Sequence, residues 1–178
     1  VVSSCGYTLR GNLDLPEDVT TISLIAQAYS PTSSEINLLL TAYGVKISNK
    51  ILPDSFQIRI LSERHDKRQL SLSQAGRVNE YELVYNLTYV IGTPLGDEEQ
   101  NNIILYRDYL FDETRILGTS DREAAIRKEM ESNAASMVVN KLKSKIESTV
   151  LITDTNDNRS YRQNSDKLLS TGFKPYYN

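Results

Sequence analysis

Residues 80–90 alternate almost without a break. Tyr81, Leu83, Tyr85, Leu87 and Tyr89 fall on one face of an extended chain. Glu80, Glu82, Asn86 and Thr88 fall on the other, with Val84 and Val90. A period of two is that of a β-strand, and a strand with one apolar face needs something to cover that face. The chain is therefore expected to build a sheet that is half covered and half open to water.

Two segments have the pattern of a cover. Ile36, Leu39, Leu40 and Tyr43 recur at helical spacing, after Thr32 and Glu35 in capping-box positions with Ser33 and Ser34 as rival caps. Gly44 follows where a left-handed cap is expected. A longer helix is expected from the capping-box pattern Ser120-Asp121-Arg122-Glu123. Its apolar stripe is Ala125 or Ile126, Met130, Ala134, Met137, Val138, Leu142 and Ile146. Asp121 and Glu123 near its start, and Lys141, Lys143 and Lys145 near its end, suit the helix dipole.

Further strands are expected over residues 20–26 and 103–111. Phe56, Ile58 and Ile60 alternate as well. The run Glu63-Arg64-His65-Asp66-Lys67-Arg68 interrupts them, and Leu70 and Leu72 resume the same parity. One long strand with an exposed middle fits this pattern, and so do two strands joined by a loop. Gln74-Ala75-Gly76-Arg77 and Pro94-Leu95-Gly96-Asp97 read as turns. The order is β-α-β-β-β-α. It predicts an α/β two-layer sandwich of the α+β type, a four-stranded, mostly antiparallel sheet with both helices on one face. Residues 6–152 make this domain. Residues 153–178 read as a polar, mostly unstructured tail rich in Asn, Ser, Thr and Asp.

Little in the chain points to catalysis. His65 is the single histidine and lies in the charged run. A Ser-His-Asp triad would need it buried beside a poised serine. One histidine and one cysteine are too few for a His/Cys metal site, and no phosphate-cradling glycine motif occurs. A net charge of -3 argues against a nucleic-acid binder. Local cations have more to offer. Arg64, Lys67, Arg68 and Arg77 flank one turn, while Arg115 and Arg122 flank the start of the long helix. Arginine binds phosphate through paired, charge-assisted hydrogen bonds, so a basic cluster at one end of the sheet would suit an anionic lipid head group. The plainer reading of the same residues is a solvated charged rim.

Cys5 is the only cysteine, so it cannot form an internal disulfide. The segment Val2-Ser3-Ser4-Cys5 resembles a lipobox, the end of a bacterial lipoprotein signal peptide, which makes residues 1–5 a signal remnant ending in the lipidated residue. Acyl chains on Cys5 would anchor the protein firmly, at about 0.8 kcal/mol per buried CH₂. Gly6, where inner-membrane lipoproteins usually carry Asp, favours the outer membrane.

Several motifs together resemble the LptE family of lipopolysaccharide-assembly lipoproteins. Cys5-Gly6-Tyr7-Thr8-Leu9-Arg10-Gly11 is similar to the family's mature start, and Asn79-Glu80-Tyr81-Glu82-Leu83 to its Glu-Tyr strand. Leu110-Phe111-Asp112, Leu117, Glu123, Ile126-Arg127-Lys128-Glu129-Met130, Ala134-Ala135 and Lys141-Leu142 resemble its last strand and long helix. The likeness runs in order over residues 5–148. It implies two helices on a four-stranded sheet and no enzymatic activity. It also implies a place as plug and assembly subunit in the LptD β-barrel, and lipopolysaccharide binding. The expected location is the periplasmic side of the outer membrane, with no cofactor beyond the lipid on Cys5. The basic residues that the family places before the Glu-Tyr strand and the long helix stand here at about Gln74 and Ser120 (or Thr119). Arg77 and Arg122 lie close to them. Arg64, Lys67, Arg68, Arg77 and Arg122 are thus the candidates for lipopolysaccharide contact. The alternative is a free-standing periplasmic glycolipid-binding lipoprotein, which would need a sizeable apolar cavity.

Overall fold

The alternating segment lies inside the sheet, with a neighbour on each side. The computed structural model describes residues 19–26, 29–74, 76–111 and 116–154. Cys5, Arg115 and the tail from residue 155 onward lie outside the described residues. The elements run β1 (Thr21–Ile25), α1 (Pro31–Ala42), β2 (Lys46–Ser48), β3 (Phe56–Leu72), β4 (Val78–Gly92), β5 (Glu98–Leu110) and α2 (Ile116–Asp154).

The sheet has five strands in the order β2-β1-β3-β4-β5. It is mixed, in place of the four mostly antiparallel strands expected. β1 pairs in parallel with both β2 and β3, while β3–β4 and β4–β5 are antiparallel. The added strand β2 has three residues, too few for an alternating signal. Its place comes from the turn that precedes it. Gly44 adopts φ 81°, a conformation open to glycine, and the Lys46 amide then donates to the Thr20 carbonyl (3.0 Å).

Both helices cover the same face. Ile36 and Leu40 of α1 join Met130, Ala134, Val138, Leu142 and Ile146 of α2 in one core with Ile22, Ile58, Leu83, Tyr85, Leu87 and Ile91 of the sheet. Each large side chain sealed in this way contributes about 2 kcal/mol. Met137, expected in the stripe, points outward and is exposed. No helix covers the opposite sheet face among the described residues, and there Ile104 and Tyr106 meet solvent.

The helix starts differ from expectation. The N-cap of α1 is Ser30, whose Oγ accepts from the Ser33 amide (3.1 Å), with Pro31 at the first helical position. The local Thr32/Glu35 pattern is not the cap, because Thr32 already lies inside the helix and is buried. Helix α2 begins at Ile116, four residues before Ser120. Gly118, a poor helix former, obscures that first turn in the sequence.

Candidate functional site

A bulge in β3 sets up the site. Ile60 pairs with Tyr89, but Ser62 pairs with Thr88, so one extra residue enters β3 at Leu61. Past this point the parity of the strand is reversed. Opposite Leu87, Tyr85 and Leu83, whose side chains face the helices, stand Glu63, His65 and Lys67. The charged run is therefore exposed on one side, through Arg64, Asp66 and Arg68, as one long strand with an exposed middle would have it. Its other side, Glu63, His65 and Lys67, turns under the helices, and Leu61, Leu70 and Leu72 are exposed instead of returning to the core. The run and its flanks form one strand of 17 residues, which settles the choice between one strand and two.

Three polar groups on β3 need partners under this cover, and each has one. Glu63 serves the start of α1. Its Oε2 accepts from the Ser30 hydroxyl (2.5 Å), and its Oε1 accepts from the Thr32 amide (3.2 Å) and hydroxyl (2.8 Å). The Tyr85 hydroxyl also donates to Oε1 (2.9 Å) and touches the Thr32 hydroxyl. A carboxylate at a helix N-terminus complements the dipole there. Burial pushes the Tyr85 hydroxyl far above its ordinary range; the Thr32 bond opposes this and the Glu63 carboxylate reinforces it, so Tyr85 stays a donor.

His65 lies against the Tyr85 ring, with centroids 4.7 Å apart, and its Nε2 meets Glu131 Oε1 of α2 at 2.9 Å. Among the described residues no serine hydroxyl hydrogen-bonds to it; the histidine has an acid and an aromatic ring beside it.

Lys67 reaches Glu123 Oε2 (2.7 Å) and sits over the Tyr81 ring, 4.0 Å from its centroid. The Tyr109 hydroxyl donates to the same carboxylate oxygen (2.6 Å), and Arg127 donates twice to Glu123 Oε1 (2.7 and 3.1 Å). Burial opposes the charge on Glu123. The bonds from Lys67, Tyr109 and Arg127 outweigh it and hold the carboxyl down to about 2. Burial likewise opposes the Lys67 ammonium, and Glu123 and Tyr109 outweigh it, so its value rises. Tyr81 stacks beside Tyr109 (5.9 Å) and meets Phe111 edge-on (5.3 Å). This end of the sheet is thus an aromatic floor crossed by ion pairs.

The sequence-predicted cations gather only in part. The start of α2 does reach the same end of the sheet as the charged strand, through Lys67 and Glu123. Lys67 is on the covered face. Arg64 and Arg68 point to the open face, where Arg64 pairs with Asp66 (3.3 Å) and Arg68 pairs with Glu82. Arg77 is exposed in the β3–β4 turn, at this end of the sheet, and Arg122 is exposed beside Glu123 on α2. The sequence reading missed Glu63, Tyr85, Tyr109, Glu123 and Glu131. The available signal was the tyrosines, whose hydroxyls need partners once a strand face is covered.

The arrangement holds layers together and offers cations at one end. A family model described as "LptE: Lipopolysaccharide-assembly" matches residues 18–142. A protein of Pectobacterium atrosepticum named LPS-assembly lipoprotein LptE is 26% identical over 144 residues, which is 80% of this chain and 78% of that protein. The crystal structure of rare lipoprotein B from Shewanella oneidensis superposes with a TM-score of 0.63 at 26% identity, covering 75% of this chain and 98% of that one. The solution structure of a lipoprotein B from Nitrosomonas europaea gives a TM-score of 0.67 at 26% identity, over 80% of this chain and 94% of its own. The chain belongs to the LptE lipopolysaccharide-assembly family.

Proposed function

We propose that this protein is a non-enzymatic lipoprotein of lipopolysaccharide assembly. It acts as plug and assembly subunit of an LptD-like β-barrel, binds lipopolysaccharide on its way to the cell surface, and is held at the periplasmic side of the outer membrane by acyl chains on Cys5. The observation that carries the reading is the family match across residues 18–142, which spans nearly the whole described fold. Two features support it. No described helix is long and apolar enough to cross a membrane, so attachment falls to a lipid or a partner. A polar open sheet face, carrying Arg64, Asp66 and Arg68 beside Tyr106, also suits the wet interior of a large barrel. A free-standing glycolipid carrier would need an apolar cavity between its layers. Met130, Ala134, Val138 and Leu142 fill that space here.

The reading is tested by purifying the tagged full-length chain from outer membranes in mild detergent. A stable one-to-one complex with a large β-barrel protein is expected, and recovery of the chain alone overturns the reading. Within it, Arg77 and Arg122 are the contacts for lipopolysaccharide phosphate. Reversing both to Glu should weaken lipopolysaccharide binding by about tenfold or more, since one charge-assisted bond contributes about 1.5–3 kcal/mol. Barrel association should persist, and the wild-type affinity should fall with added salt. Unchanged binding would reduce the two arginines to a solvated rim.

A further inference from the structure

We propose that Glu63, His65 and Glu131 bind one divalent transition-metal ion of the zinc type. Glu63 and His65 are successive residues on the covered face of β3, and Glu131 reaches down from α2. One ligand atom from each lies within 4.8 Å of the others. All three are partly buried, with the side chains of His65 and Glu131 exposed by only 19% and 16%.

Charge balance is the first argument. Two carboxylates converge on one imidazole, and among the described residues no Lys or Arg pairs with either of them. The nearest cations are committed elsewhere. Arg127, one turn from Glu131, gives its guanidinium to Glu123, and so does the Lys67 ammonium. Glu63 is offset in part by the start of α1 and its hydroxyl donors, whereas Glu131 has the imidazole alone among the described residues. A doubly charged ion balances both carboxylates with the imidazole neutral.

The second argument is His65 itself. Its Nδ1 is buried and has no hydrogen-bond partner. Nε2 is thus the ring's one polar tether among the described residues, and it is the donor atom offered to an ion between the acids. Zinc takes histidine nitrogen and carboxylate oxygen at about 2.0–2.2 Å, which places ligand atoms about 3.4 Å apart. Glu63 is already aimed, because Ser30, Thr32 and Tyr85 fix its carboxylate as outer-shell partners fix a ligand. Three protein ligands leave a position for water.

The test uses the full-length chain with Cys5→Ser, so that no thiol competes, after removal of metal by a chelator. Co²⁺ is added and its visible absorption followed, and Zn²⁺ is then used to displace it. One equivalent of Co²⁺ should bind, Zn²⁺ should displace it, and Zn²⁺ should raise the melting temperature by mass action. His65→Gln keeps an amide to hydrogen-bond Glu131 and should keep the fold, yet should bind at least tenfold more weakly; Glu131→Gln should do the same. The proposal is overturned if the parent chain shows neither the Co²⁺ spectrum nor a Zn²⁺-dependent melting shift. It is equally overturned if the folded His65→Gln and Glu131→Gln chains bind as tightly as the parent.

Discussion

Tyr85→Ala should lower the unfolding free energy by about 4 kcal/mol, within the range for truncating a buried aromatic. Tyr85 is fully buried in the centre of β4. Its ring supports His65, and its hydroxyl is one of the donors that hold Glu63 at the start of α1. Removing it leaves both a cavity and a weakened carboxylate site. Tyr85→Phe separates the two effects. The ring remains, Ser30 and Thr32 still serve Glu63, and the cost should be only about 1 kcal/mol. Urea unfolding at constant m-value measures both. Equal losses in the two variants would mean that the hydroxyl, and not the packing, carries the position.

Glu123→Lys should cost about 3 kcal/mol, because it places a third cation beside Lys67 and Arg127 and removes the acceptor of Tyr109. The pH dependence is tied to the same residue. The Glu123 carboxyl titrates near 2 in the folded protein against 4.5 for the ordinary group. A depressed carboxyl stabilises the fold fully above its unfolded value and ceases to do so as pH falls through its folded value. The stability difference between wild type and Glu123→Gln should therefore be constant above about pH 5 and shrink steadily toward pH 2. After allowance for screening it amounts to about 2 kcal/mol. A difference that did not change with pH would sink the account of Glu123 as the charged centre of this end.

Much of the architecture is legible in the sequence, and the exceptions share a cause. The alternation through Tyr81 and Tyr89, the stripe through Ile36 and Leu40, and the stripe from Met130 to Ile146 are local periodicities, and each buries most of the face it announces, with Tyr43 and Met137 left exposed. The short strand β2 has no periodicity of its own and exists through its pairing with β1. The bulge at Leu61 is one residue long and invisible to pattern reading, since alternation on either side still looks continuous. That single residue decides whether Glu63, His65 and Lys67 meet water or the helices. The candidate site was hidden for this reason: its cations were legible, but the carboxylates that bind Lys67 and Arg68 become neighbours only once the register of β3 against β4 and α2 is set.

The bonds from His65 to Glu131 and from Lys67 to Glu123 have a geometric consequence. The strand residues are two apart, a rise of about 7 Å, while the helix residues are eight apart, about 12 Å along the axis, and run in the opposite sense. Two scales of unequal pitch, read against each other, agree at one setting only. Apolar stripes tolerate sliding by a turn, because one leucine packs much as the next does. These two pins do not, so they fix where α2 sits along β3 and which way it points. The long helix is thus keyed to the sheet like a vernier, and whatever docks on the start of α2 meets a surface already set in position.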